Sequence, residues 1–282
     1  MKSSVKFLTA LCIISLPVMA DAVLVDEHKP NTTTVTSETK ESQMYISFDG
    51  NLDSLPIDVR AQFPSIIDTK EISSEETKVV ISDENAQWMF RTIFTQFERY
   101  QKINGEYIAL EIPSDMDMVG ISVEGTLSKN GAYSDVVVQT PQSNELIEDS
   151  IKRMLELPNK ELSIYHKKYE LGNVYPFEAT MDVPLHPEMK VSMVIDGTRK
   201  LVKIKDGTAF IESTASGDME VKLDKLKMAI NMTINSQFEY DLDRELVFSE
   251  TTESVMSLSY PAYEGFVTSI ATINSSVDRR RY

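Results

Sequence analysis

The 282-residue sequence predicts an α+β protein: a large curved antiparallel β-sheet, half-barrel-like, with two helices inserted in its first half. Three observations carry this expectation. Much of the chain alternates apolar and polar residues, as in LKMAINMTIN, where Leu226, Met228, Ile230, Met232 and Ile234 share one face. Lys227, Ala229, Asn231, Thr233 and Asn235 share the other, and one apolar and one wet face belong to an antiparallel sheet. The alternating runs are separated by turn-forming residues, Lys129-Asn130-Gly131, Asp196-Gly197, Asp206-Gly207 and Gly217-Asp218. Two segments repeat their apolar residues at helical spacing instead.

Taken in order, residues 1–20 read as a secretory signal peptide, with a basic start at Lys2 and Lys6, an apolar stretch from Phe7 to Val18, and small residues at Ala20 and Ala22. Residues 21–43, rich in Thr, Ser and charge, read as a flexible tether. An α+β domain follows over residues 44–278. It carries a faint internal echo between VEGTLSKNGAYSDVVVQT and INSQFEYDLDRELVFSET, consistent with two similar halves. The triplet Arg279-Arg280-Arg281 opens a basic tail over residues 279–282.

Within the domain, NAQWMFRTIFTQFERYQK predicts a helix over residues 83–103, capped at Ser82 and stopped by Asn104-Gly105. Ala86, Met89, Phe90, Ile93, Phe94, Phe97 and Tyr100 form its apolar stripe, and Trp88 falls on the opposite side. SNELIEDSIKRMLELP predicts a second helix, capped by Ser143 or Asn144 and closed by Pro158, with Ile147, Ile151, Met154 and Leu155 as its buried face. The strand candidates are residues 107–112, 119–127, 133–139, 190–195, 200–205, 209–213, 219–223, 226–235, 237–242, 246–250 and 254–260. The parity change between the runs before and after Asp224-Lys225 requires a bulge or a turn there.

Charge and cysteine usage narrow the functional classes. The chain has 28 basic and 44 acidic residues, and without Lys2 and Lys6 the balance is 26 against 44. A surface this acidic argues against nucleic acid and anionic lipid head groups as partners. Cys12, the only cysteine, lies inside the signal segment, so the mature chain is expected to have neither disulfides nor thiol chemistry. The leader points to an exported protein, in the periplasm before the extracellular space, and no later segment is apolar enough for a transmembrane helix.

Catalytic patterns are missing from the sequence. No G-x-S-x-G occurs, and His28, His166 and His186 are not spaced to pair with a serine. The acidic pairs Asp115/Asp117 and Asp241/Asp243 lack the further ligands of a cation site and read as turn residues. No cofactor is expected. Methionines at 193, 219, 228, 232 and 256 fall on inward faces, where their pliable side chains suit an adaptable apolar lining. The candidate ligand-binding residues are accordingly Trp88, Phe90, Phe94, Phe97, Met193, Met228 and Met232.

The order of EGTLSKNGAYSDVVV, KRMLELP and YELGNVYPFEATMDVPL, leading into long strands, resembles a group of uncharacterised exported bacterial proteins built from curved antiparallel sheets. In architecture it is similar to periplasmic lipoprotein carriers of the LolA and LppX type. The resemblance covers residues 120–260, transfers no functional residue, and implies a half-barrel that shelters acyl chains. Sequence and resemblance together lead to a non-enzymatic binding protein for a lipid or other hydrophobic ligand. An envelope structural or assembly protein working through protein contacts, and a hydrolase with dispersed carboxylates, are the alternatives.

Overall fold

The structure, a computed structural model, describes residues 29–82, 87–114, 116–128, 133–142, 144–156, 169–186, 189–223 and 226–282. One 12-stranded antiparallel sheet dominates it. The strands are β1 (Thr32–Gly50), β2 (Ser65–Ile81), β3 (Trp88–Ile103), β4 (Glu106–Ala109), β5 (Ser122–Leu127), β6 (Tyr133–Gln139), β7 (Val174–His186), β8 (Met189–Lys205), β9 (Thr208–Leu223), β10 (Leu226–Asp241), β11 (Leu246–Ala262) and β12 (Gly265–Arg281). They lie in the order β6-β5-β3-β2-β1-β12-β11-β10-β9-β8-β7, with β4 also on β3, so the sheet is open and its edges are β6 and β7. Among the described residues helical structure is limited to a 3-10 turn at Leu52–Ser54, α1 (Ile57–Arg60) and α2 (Glu145–Glu156). The protein is thus mostly β.

The alternation in the sequence becomes one buried and one exposed face. On β10, Met228, Ile230, Met232 and Ser236 are buried while Lys227, Ala229, Asn231, Thr233 and Asn235 are exposed. Cross-strand register carries this inner face along the sheet, because paired residues point the same way. Met232 pairs with Met256 and with Gly217, Met256 with Ala271, Ala271 with Met44, and Met44 with Ile67.

Several expectations are corrected. The segment read as a helix over 83–103 is strand β3, and Asp83 to Ala86 lie outside the described residues. A bulge imitated a helix. Ser74 pairs with Gln96 and Glu75 with Phe94, so Thr95 is an extra residue and the parity of β3 changes there. Phe90, Phe94 and Phe97 therefore share the inner face at spacings of four and three residues, the signature of a helical turn. Period two also puts Trp88 on the same side as Phe90 rather than opposite it.

The tether expected over 21–43 is half strand: β1 begins at Thr32, and its threonines are β-branched residues suited to a pleated sheet. The expected basic tail is the end of β12, with Arg279 buried. Residues 190–195 and 200–205 join in β8, 209–213 and 219–223 in β9, 226–235 and 237–242 in β10, and 246–250 and 254–260 in β11. Asp206-Gly207 does turn between β8 and β9, whereas Asp196-Gly197 and Gly217-Asp218 lie inside strands. Lys129-Asn130-Gly131 and Asp224-Lys225 fall outside the described residues.

Helix α2 forms in the second segment expected to be helical. Asn144 caps it, its side-chain oxygen accepting the Ile147 N–H at 3.3 Å, and the Thr140 hydroxyl donates to Glu148 at 2.6 Å. Ile147, Ile151 and Leu155 pack on Phe90, Val123, Leu127 and Val136, closing the inner face at the β6 end.

Two glycines inside strands have a packing reason. Gly197 pairs with Phe177, and a Cβ there would lie 2.4 Å from the Phe177 ring and 2.6 Å from the Thr214 carbonyl oxygen. Gly125 pairs with Phe90, and a Cβ there would lie 2.8 Å from that ring. In each case a phenylalanine covers a glycine across a strand pair near one edge. Gly197→Ala and Gly125→Ala should each lower stability by about 1–3 kcal/mol through overpacking, read as a shifted urea midpoint against exposed Ser216→Ala; unchanged midpoints would refute this packing.

Candidate functional site

The inner face is zoned by rows that run across the strands. One apolar row contains Met232, Met256, Ala271, Met44 and Ile67. The next toward the β11–β12 hairpin contains Met219, Ile230, Leu258, Ser269 and Ile46. Beyond it Tyr260 pairs with Val267 and Val267 with Phe48. No charged side chain interrupts these rows. The face is driest toward β8, where Met193, Ile195 and Ile230 are at most 1% exposed, while Phe48, Ile67, Met256 and Tyr260 remain half-buried.

In the opposite direction the same face turns polar. Ser213, Ser236, Thr252, Ser275, Lys40 and Glu71 are successive cross-strand partners from β9 to β2. Arg199 on β8 and Arg99 on β3 extend the row at its ends. The hydroxyls pair with one another, Ser236 with Thr252 at 2.8 Å and, one row away, Ser42 with Thr69 at 2.6 Å. Ser275 donates to Glu38 at 2.7 Å, and Lys40 stands 3.7 Å from the same carboxylate.

Arg279 and Glu250 form a buried ion pair, 3.3 Å apart with side chains 3% and 6% exposed; Arg279 also donates to the Val247 carbonyl oxygen at 3.4 Å. Arg199 lies over the Phe177 ring at 4.1 Å, spreading its charge on an aromatic face. Burial pushes the Tyr169 hydroxyl above the usual tyrosine range, partly opposed by the Arg199 charge. On the exposed face the Tyr100 hydroxyl donates to Glu98, which lowers the carboxyl and raises the phenol.

The residues singled out in the sequence fall in two places. Trp88, Phe90 and Phe94 pack with α2 at the β6 end, and Phe97 stands across from Ser73 on the same inner face. Met193, Met228 and Met232 belong to the cluster of β7 to β11, with β12, β1 and β2 between the two groups. Three strands of the same inner face, β2, β1 and β12, thus separate the aromatic residues of β3 from the nearest of the methionine-bearing strands β8 to β11. Met44, Ile46 and Ala271 were missed because β1 and β12 were not recognised as strands, and the polar row because it depends on which strands lie side by side.

The acidic pairs behave as turns among the described residues. Asp117 accepts the Val119 N–H at 2.9 Å, and Asp241 accepts the N–H groups of Asp243 and Arg244 at 3.0 and 2.9 Å. Asp115, His28 and His166 lie outside the described residues, and His186 ends β7.

No family model and no curated protein matches the chain. Among solved structures it is similar to lipovitellin, in a structure concerned with lipid–protein interactions, at 11% identity and a TM-score of 0.50 over 90% of this chain. The chain spans 26% of that lipovitellin chain, and the likeness is one of fold. A triple mutant of the Rhodopseudomonas blastica porin, 8% identical with a TM-score of 0.25, covers 86% of this chain and 99% of its own, and at that score carries no argument.

Breaking the buried ion pair from one side should be worse than removing it. Arg279→Met leaves Glu250 charged in a dry site and should cost about 3–5 kcal/mol, and Arg279→Met/Glu250→Leu should recover most of it. Urea unfolding measures both; a double variant as unstable as the single one would contradict this account.

Proposed function

We propose that the protein is an exported, non-enzymatic holder of a lipid or other hydrophobic ligand, seated on the inner face of the sheet. The observation that carries this reading is the run of uncharged rows across β9, β10, β11, β12, β1 and β2, flanked by half-buried Phe48, Ile67, Met256 and Tyr260. Methionine adds plasticity: unbranched and polarisable, it repacks around an irregular chain at low cost. The fold likeness to lipovitellin supports the reading, since that structure concerns lipid–protein interactions. The basic and apolar start of the sequence supports export.

Native mass spectrometry of the exported protein, before and after organic extraction, should show an extra mass that extraction removes. The extracted protein should then take up N-phenyl-1-naphthylamine with a rise in fluorescence, and Met256→Lys should weaken that uptake at least about tenfold, or about 1.4 kcal/mol, with the circular dichroism unchanged. An empty protein that also refuses the fluorophore would remove the basis for a holder.

A second reading, an envelope assembly protein, is favoured by one surface. Residues 102–111 are all exposed, yet this hairpin of β3 and β4 carries Ile103, Tyr107, Ile108 and Leu110. Ile103 and Ile108 lie on one face and Tyr107 on the other, next to Lys102. Ile103→Ser/Ile108→Ser should leave fluorophore uptake unchanged and, if the hairpin docks to a protein, release that partner from a crosslinked complex in envelope extracts. Crosslinking equal to that of the unaltered chain would remove the hairpin from this role.

A further inference from the structure

The change from apolar to polar rows on one face points to the class of ligand. Resting on the holder reading, we infer that the ligand is a long-chain amphiphile with a zwitterionic head, lying along β11, β12, β1 and β2. Its tail covers the methionine rows and its head meets the polar rows.

Length comes first. From Ile273 to Val267 the inner face of β12 is apolar or lightly polar, with Ile273, Ala271, Ser269 and Val267 pointing inward. Six residues of strand span about 20 Å, enough for an extended chain of about sixteen carbons. Along this track Met256, Tyr260, Phe48 and Ile67 remain half-buried, so the tail has apolar surface still to cover.

The composition of the polar rows selects the head. On the inner face, three successive rows carry the cations Arg199, Lys40, Arg99 and Arg279. They also carry the carboxylates Glu38, Glu71, Glu75 and Glu250. Most are already matched at short range: Lys40 with Glu38 at 3.7 Å, Arg99 with Glu71 at 3.5 Å, and Arg279 with Glu250 at 3.3 Å. A surface of alternating, balanced sign repels a head with a single net charge about as much as it attracts it. A head carrying both signs can align with it, and the hydroxyls of Thr252, Ser275, Ser42 and Thr69 supply donors and acceptors between the charges.

An apolar core has no need of this arrangement. The Arg279–Glu250 and Lys40–Glu38 pairs are largely buried while Arg99–Glu71 is partly exposed. Buried ion pairs stabilise a fold less than apolar residues of the same shape, so their placement next to an uninterrupted apolar field fits a polar ligand group better than a purely structural role.

The test is displacement of N-phenyl-1-naphthylamine from the extracted full-length protein, using hexadecylphosphocholine and hexadecanoate below their micelle thresholds. Hexadecylphosphocholine should displace the fluorophore at a concentration at least about tenfold lower. Ser42→Ala/Thr69→Val removes both members of a hydroxyl pair, a change close to neutral for folding, and should narrow the preference, the charges remaining, while leaving fluorophore uptake intact. Equal displacement by the two amphiphiles, or a preference for hexadecanoate, would overturn the head-group inference and leave the holder reading standing. Failure of the unaltered protein to take up fluorophore would overturn both. If the double variant does not fold, the comparison of the two amphiphiles on the unaltered protein still decides.

Discussion

Everything in this architecture depends on the pairing of β1 with β12. The chain makes two meanders, β1 to β6 and β7 to β12, and the seam between them runs in unbroken register from Thr34 opposite Arg281 to Gly50 opposite Gly265. Without it each meander would present a long unpaired strand, a template for pairing with other chains. Register matters as much as contact. A one-residue slip would turn Met44 and Ile46 outward and bring Tyr45 and Gln43 inward, interrupting the apolar rows at their midpoint.

The two zones of the inner face pull against each other energetically. Apolar rows gain from burial in proportion to the area they withdraw from water. The polar rows spend part of that gain on desolvating charges, recovered only where partners such as Arg279 and Glu250 stand close. The exposed face is different again: on β10 it is polar apart from Ala229, and on β9 Glu212, Thr214, Ser216, Asp218 and Glu220 point to solvent. A strand crossing a bilayer needs its apolar residues on the lipid side. On β9 and β10 they lie on the covered side, whereas Tyr45, Ile66, Val194 and Ile270 stand exposed on the outer face of their strands.

Much of the sheet was legible because period two survives wherever one face is buried. The parity of Met193, Met228 and Met232 placed them inward correctly. Three kinds of feature were not legible. A bulge at Thr95 converted a strand into the spacing of a helix, and nothing local distinguishes the two. Gly197 and Gly217 resemble turn residues, but they sit in strands because side chains or backbone approach too closely for a Cβ: Phe177 in one case and the Val194 carbonyl oxygen, 2.6 Å away, in the other. The threonine-rich start of β1 and the arginines of β12 look like solvated ends until each has its neighbour. The rows across the sheet, and hence the candidate site, depend on which strands lie side by side, and that is a property of the whole chain rather than of any segment.

The seam also brings distant parts of the chain together. Thr33 and Tyr282 exchange two backbone hydrogen bonds, of 3.2 and 2.9 Å, while the consecutive strands β6 and β7 lie at opposite edges of the sheet. Read from β7 through β12 and on into β1 through β6, the sheet is a simple up-and-down meander in which each long strand lies beside its successor. The natural order is thus a circular permutation of the simplest possible topology, cut in the middle of the sheet instead of at its margin. During synthesis β1 emerges early, with one flank paired to β2 and the other unfilled until β12 is complete. Strand β12, made after β1 to β11, therefore has to insert at the centre, and the apolar rows remain divided until it does.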